Sequence, residues 1–425
     1  MAVKQKEAMN FKTQWAILVS CWTQKFFLAF VVPVLKILGT ILGKLRMRPQ
    51  ARITPMKSLI VRPEERYKEW KIIVPDDKSM SEEEREFRYY SALTMMASRL
   101  AYQHHLFVNF VATYCWKMDH VECYNFQNPY LKTKSTHAFT FQNTSKDVTV
   151  VAFRGTSVFD LNDWMVDSNF LFKKLDGVGQ IHSGFMDAIG YQDQPIALHE
   201  CHDKFAYHTL CQELKEIAES NENAKFIITG HSLGGALATL FVTLLAYYEE
   251  ATILDKLQAV YTYGQPRVGD DEFAHFMVDT FDNHHIKYYR YVYSFDMIPR
   301  VPFDAMLTNY KHFGGCVYFD CFYNGKFLKE QPNTNYFSLI WVIPKYLIAC
   351  WELIRSLIII PITKGRDHFE GLFTILERIL GLLIPGLSAH VCSNYVNLTR
   401  WGTIQLPPDH NPTLRNFACH IEADY

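Results

Sequence analysis

The sequence lacks an excess of charge of either sign. Its 43 Lys and Arg residues face 44 Asp and Glu, a formal net charge of -1. Nucleic-acid partners require a basic patch, so nothing here points to them. Any C-x-x-C pair is missing too, and the ten cysteines are scattered from Cys21 to Cys419. That removes the usual zinc and dithiol spacings and leaves no disulfide framework. A chain of 425 residues can build a core without such staples, and the cysteines read as buried thiols in a reducing compartment. Two N-x-[ST] sequons, at Asn143 and Asn397, are no more than chance supplies. Internal repeats and low-complexity tracts are also absent.

Long unbroken apolar runs are missing as well. Near the start, Phe26 to Gly43 is interrupted by Pro33 and Lys36. As a helix this run reaches about 27 Å, short of a bilayer core of ~30 Å. Lys44, Arg46, Arg48 and Arg52 follow it. A secretory signal wants a compact apolar stretch and a small-residue cleavage site, and neither is clear. Residues 1–52 therefore read as an apolar segment associated with a lipid interface, with a buried core helix as the alternative. Residues 53–80 read as a linker.

A second apolar region spans about 336–388. Lys345, Glu352, Arg355, Glu377 and Arg378 punctuate it, and it contains Pro344 and Pro361. Those residues argue against a simple transmembrane span. An amphipathic flap or interfacial helical hairpin fits better.

What is present in force is an α/β pattern. Ser81-Glu-Glu-Glu84 reads as a capping box opening a helix with Ala92, Met95, Met96 and Leu100 as its core stripe. Strands are expected at 137–142, 147–153, 225–229, 257–263 and 286–293. Helices are expected around 184–190, 204–219 and 233–248. Such alternation implies a mostly parallel sheet covered on both faces.

The strongest local signal is Gly230-His231-Ser232-Leu233-Gly234, followed by Gly235. It sits between an apolar strand and an apolar helix, the context a G-x-S-x-G nucleophile elbow needs in an α/β-hydrolase fold. The serine occupies a tight turn, and only glycine lets the neighbouring backbone approach. The helix start behind it favours developing negative charge.

A serine hydroxyl needs a base, and the base an orienting carboxylate, in the order Ser, Asp or Glu, His. Asp296 follows the strand ending at Tyr293, and Pro299 stops that strand from continuing. Asp270 also follows a strand, but Gly269 and Asp271 suggest a turn and helix cap. The histidine lies among His312, His368, His390, His410 and His420. Spacing alone places His390, after the Pro385-Gly386 turn, ahead of the others without deciding the matter. His312 reads as structural.

Two oxyanion donors are needed: the amide of Leu233 and one from an earlier strand-end loop, for which Gly155-Thr156 qualifies. The pairs His104-His105 and His284-His285 make no metal site, because neighbours on a strand or helix point apart. No metal or organic cofactor is called for.

Several blocks resemble the class 3, fungal-type lipases, in family order. They are Val150-Val-Ala-Phe-Arg-Gly-Thr156, Asp163-Trp164, His182-Ser-Gly-Phe185, Gly230 to Gly235, Gly264-Gln-Pro-Arg-Val-Gly269 and Asp296-x-x-Pro-Arg300. Tyr336 to Tyr346, Trp351 to Ser356, Gly381 to Leu387, Ala389-His390 and Asn394-Tyr-Val396 look like the plant oil body lipases. The resemblance implies a class 3 lipase domain over 81–425, with an apolar insertion before the histidine. It implies Ser232, Asp296 and His390 as the triad, Thr156 and Leu233 as the oxyanion hole, and 157–172 as a mobile lid.

It further implies a triacylglycerol lipase acting on storage lipids at the cytosolic face of a lipid droplet, through an acyl-enzyme. The remaining readings are a phospholipase or partial-glyceride lipase, and a catalytically inert droplet coat or tether. Acyl preference and oligomeric state stay open.

Overall fold

The computed structural model describes residues 70–74, 80–126, 136–155, 172–191, 205–302, 309–365 and 372–406. The expected segment 1–52, Thr156, nearly all of the expected lid, and His368, His410 and His420 lie outside the described residues.

Helix α1 (Glu82–Leu100) starts where the sequence indicates: Ser81 Oγ accepts from the amide of Glu84 at 3.2 Å. Only half of the capping box forms, because the Glu84 carboxylate turns to Arg88 instead of back to the cap. Arg88 in turn donates to the carbonyls of Gly402 (2.8 Å) and Ile404 (3.1 Å), tying a distant stretch of chain to α1.

Eight strands form one sheet in the order β1-β2-β3-β6-β7-β8-β9-β10. They are β1 (Asp119–Phe126), β2 (Thr136–Asn143), β3 (Val148–Phe153), β6 (Lys225–His231), β7 (Leu257–Tyr263), β8 (Lys287–Tyr293), β9 (Cys316–Phe319) and β10 (Gly325–Leu328). Strands β3, β6, β7, β8 and β9 run parallel, while β1–β2, β2–β3 and β9–β10 are antiparallel. A separate hairpin pairs β4 (Phe172–Leu175) with β5 (Gly179–His182). This is the α/β-hydrolase arrangement expected from the motif order.

The helices crossing between strands include α2 (Ser183–Ile189), α3 (Ala206–Ser220), α4 (Leu233–Tyr247) and α5 (Asp271–Asn283). Later come α6 (Val342–Ile354), α7 (Leu372–Gly381), α8 (Pro385–Ala389) and α9 (Cys392–Trp401). Alternate residues of the central strands enter two cores. Val151, Phe153 and Ile228 pack with Leu237 and Phe241 of α4; Val150, Ala152 and Ile227 pack with Met95, Met96 and Leu100 of α1. A strand buried on both faces is apolar throughout, which is why β6 is legible as an unbroken run. The outer strands are not: β1 is largely exposed along its length, and β9 and β10 have four residues each, too few for a pattern.

Buried tyrosines on β7 and β8 are satisfied by α1. Tyr263 donates to the Ser91 carbonyl at 2.8 Å, and the Tyr291 hydroxyl lies 2.5 Å from Ser91 Oγ. Trp70, within the stretch read as a linker, packs edge-on against Phe107 at 5.3 Å and under Arg99 at 4.6 Å.

Two expectations need correction. First, the thiols are not uniformly buried. All seven described cysteines are free, but Cys123 and Cys350 are exposed, one on the outer strand β1 and the other on the outward side of α6. Second, the histidine pair 104–105 does not point apart: the rings lie 4.0 Å from each other. His104 is the extended N-cap of a short helix, so the helical rule does not reach it.

The second apolar region is helical across both of its prolines. Leu339–Thr363 is one helical rod of 25 residues with mean hydropathy 1.6, long and apolar enough by length and composition to cross a membrane. Pro344 sits in the first turn of α6, where its missing N–H costs nothing. Pro361 follows a π-helical turn, Arg355–Ile359, which has already interrupted the ladder. Lys345, Glu352 and Arg355 are buried, on the side facing the sheet domain.

Candidate active site

The parallel strands β3, β6, β7 and β8 end at the same edge of the sheet, in register: Phe153 opposite Gly230, His231 opposite Tyr263, Tyr263 opposite Tyr291. The chain leaving each strand therefore meets the others there, the usual place for a site in an open α/β sheet. Ser232 and Gly264 are the first residues out of β6 and β7, and Gly155 and Asp296 follow the ends of β3 and β8 by two and three residues.

Ser232 holds φ 59° and ψ -129°, a strained conformation for a residue with a side chain, between β6 and α4. It is fixed by its own amide, which donates to the Tyr263 carbonyl at 2.8 Å. The flanking glycines are obligatory. A Cβ on Gly230 would lie 2.1 Å from the carbonyl group of Gly234, and one on Gly234 would lie 2.3 Å from the Phe153 carbonyl oxygen. Leu233 opens α4, so its amide is one of the four helix-start N–H groups without an intrahelical acceptor.

Asp296 and His390, 94 residues apart in sequence, meet at the same place. Nδ1 of His390 donates to Oδ2 of Asp296 at 2.7 Å, with both side chains fully buried. That carboxylate has two further donors: the amide of Ile298 to Oδ1 at 2.8 Å and the hydroxyl of Tyr395 to Oδ2 at 2.5 Å. Three donors in all therefore satisfy the buried carboxylate and fix its orientation.

The His390 ring stacks on His231 with centroids 4.6 Å apart, which brings it alongside the elbow. His231 Nε2 donates to the His390 carbonyl at 3.1 Å, so its Nδ1 accepts from Tyr102 at 3.0 Å. Burial, and then the adjacent His390 imidazole, hold His231 well below the ordinary histidine range; it is a neutral spacer. Ser232 Oγ and His390 Nε2 are both buried, and among the described residues neither has a hydrogen-bond partner. No hydrogen bond therefore joins the serine hydroxyl to the imidazole in this structure.

The competing residues take other duties. Asp270 caps α5, accepting from Phe273 at 3.0 Å, and also accepts from Gln180 at 3.1 Å. His312 Nε2 donates to the Pro299 carbonyl at 2.6 Å; burial and the guanidinium groups of Arg290 and Arg267 push it well below the usual range. Residues the sequence reading did not single out also line the site. Tyr395 braces Asp296, Tyr102 holds His231, and Gly264 leaves space that a Cβ would take from His390. Gly264 and Tyr395 stand inside blocks that resemble known lipases, but a block does not reveal which of its residues touches the site.

Residues 150–306 match the model of the class 3 lipases. A triacylglycerol lipase of Arabidopsis thaliana, OBL1, is 40% identical over 333 residues, covering 73% of this chain and 64% of that protein. Its namesake from Ricinus communis is 37% identical over 339 residues, with the same two coverages. The chain thus spans about two thirds, and no more, of the length of these relatives. Among solved structures, the triacylglyceride lipase of Rhizomucor miehei aligns with a TM-score of 0.43 and 24% identity, over 56% of this chain and 82% of its own.

Proposed function

We propose that the chain is a class 3 lipase, and within that family a triacylglycerol lipase working at the surface of stored lipid; the match of residues 150–306 to the family model supports this reading. The single observation carrying this reading is the 2.7 Å contact between His390 and Asp296 beside a buried, open serine hydroxyl in a strained elbow.

The chemistry is acyl transfer. His390 Nε2 takes the proton of Ser232 as the hydroxyl oxygen attacks the ester carbonyl. Asp296 holds the imidazole in the tautomer with its proton on Nδ1 and stabilises the positive form. The amides of Leu233 and Thr156 bind the oxyanion. The tetrahedral species collapses, the ester bond breaks, and His390 returns the proton to the departing diglyceride. Water then enters, gives its proton to His390 and attacks the acyl-serine, releasing fatty acid and restoring the hydroxyl.

The location rests on the rod Leu339–Thr363. Its inner face is fastened to the sheet domain, while Ile340 (82% exposed), Ile343 (72%), Leu347, Ile358 and Ile362 turn outward in one stripe. Leu383, beyond α7, extends the same kind of surface. An exposed apolar face with the charged side chains turned inward suits a helix lying in a lipid interface. The charges on its inner face are engaged with the domain, so this reading places the rod along the surface, not across a bilayer.

The test is release of fatty acid from emulsified triolein by the full chain. Ser232→Ala is expected to lower kcat by about 10⁴- to 10⁶-fold. Activity near that of the parent chain would sink the assignment. Running diglyceride and phospholipid emulsions in parallel decides between the triglyceride reading and its partial-glyceride and phospholipase rivals.

A further inference from the structure

The charges that punctuate the apolar insertion gather behind the turn that carries His390. Glu352 of α6 and Arg378 of α7 lie 3.8 Å apart, each side chain 1% exposed. Ser388, two residues before His390, donates to Glu352 Oε2 at 3.0 Å. Arg378 donates to Oδ1 of Asn394 at 3.0 Å, and Arg355 donates to the same oxygen at 3.3 Å and to the Tyr293 hydroxyl at 2.9 Å. Asn394 uses its amide nitrogen in the other direction, donating to the carbonyls of Ser388 at 2.9 Å and Ala389 at 3.2 Å.

Asn394 is thus a clasp. It sits in α9, just after His390, and grips the two residues just before it. Its orientation is dictated: the oxygen must face two guanidinium groups and the nitrogen two carbonyls. Stability does not require such an assembly. Two guanidinium groups and one carboxylate are costly to bury, and apolar side chains of equal volume often hold a core better. What the assembly supplies is position. An imidazole that must shuttle a proton needs to stay within about 0.5 Å of its working place. Here its turn is held by side chains from the same helices that present the outward apolar stripe.

We propose that Asn394, backed by Arg378 and Glu352, is a positioning residue for His390, and that it joins the lipid-facing helices and the proton-relay imidazole into one unit. The inference rests on the assignment of His390 as general base.

The test uses the full chain and a soluble ester, p-nitrophenyl butyrate, with kcat expressed per Ser232 site titrated by a fluorophosphonate. Asn394→Ala is expected to lower kcat per site at least tenfold with KM within twofold. Asn394→Asp, which keeps the oxygens facing the guanidinium groups but loses the grip on the carbonyls, is expected not to restore it. Unchanged kcat per site, a change confined to KM, or full rescue by Asn394→Asp overturns the proposal. Should Asn394→Ala fail to fold, Ser388→Ala provides the same readout: a severalfold loss of kcat supports the proposal and an unchanged kcat overturns it. Ser232→Ala separates the two levels. If that variant still turns over ester, the reading of the whole site fails. If it is inactive while the Asn394 variants keep full kcat, only this inference fails.

Discussion

Tyr395 donates its hydroxyl to the same oxygen of Asp296 that accepts the His390 proton, at 2.5 Å against 2.7 Å for the imidazole. The two donors share one acceptor, so each weakens the other's claim on its charge. Burial and the Asp296 charge both hold the Tyr395 phenol far above its usual range, and it stays a donor at every working pH.

Tyr395→Phe is expected to lower kcat/KM on a soluble ester at least severalfold, because Asp296 loses one of the donors that hold it against His390 and a hydrogen bond to a charged group contributes about 1.5–3 kcal/mol. An unchanged kcat/KM contradicts the argument.

Asp296→Asn is expected to leave the fold intact and lower kcat by roughly 10⁴-fold, through the wrong imidazole tautomer. Asp270→Asn, by contrast, is expected to leave kcat within a few-fold, because Asp270 caps α5 and receives the Gln180 amide rather than a histidine. Equal losses from the two substitutions would contradict the assignment of roles.

Gly264→Ala is expected to harm both stability and turnover. Gly264 has φ +59°, and a Cβ there would lie 2.8 Å from His390 Cε1 and 2.9 Å from Asp296 Oδ2. The left-handed conformation alone costs about 1–2 kcal/mol for a residue with a side chain. A lowered Tm with kcat down at least tenfold is the expected pair of results; a normal kcat would show that the ring has room to move.

Replacing Ile340, Ile343 and Leu347 together with serine is expected to detach the protein from triolein droplets in a flotation assay. Each side chain contributes about 1.5–3 kcal/mol when fully buried in an apolar phase, so partitioning falls at least a hundredfold. Turnover of emulsified triolein is expected to drop more than turnover of a soluble ester. Undiminished flotation would move the weight of lipid association to residues 1–52.

The folded state is expected to lose stability as the pH falls from about 6.5 to about 4. His182 is fully buried, and burial lowers its pKa from 6.5 to about 4. The unfolded chain therefore binds a proton over that window and the folded chain does not, so protonation favours unfolding. The loss from this one group is roughly 3 kcal/mol across the window. Tm measured against pH checks the sign; a Tm that rises on acidification contradicts it.

How much of this was legible beforehand follows from the range of the interactions. The strands beneath Ser232 and the helix behind it are written in contiguous residues, because a doubly buried strand must be apolar and an elbow must carry glycine at Gly230 and Gly234. The cap at Ser81 and the turn at Asp270 are equally local. Spacing could rank His390 over His312 but not settle the choice, since 94 residues separate it from Asp296 and only chain packing closes that distance. Where Pro344, Pro361 and the charges of the insertion would sit was hidden for the same reason. Their cost depends on the turn they occupy and on the partner across the interface, and both are properties of the folded chain. Tyr395 shows the limit most clearly: nothing in a tyrosine three residues past a cysteine announces that its hydroxyl ends on Asp296. Period and turn chemistry act over a few residues and are carried by the order of amino acids; the convergence of buried polar groups acts across the whole chain and was decided only when the sheet, the insertion and α9 packed together.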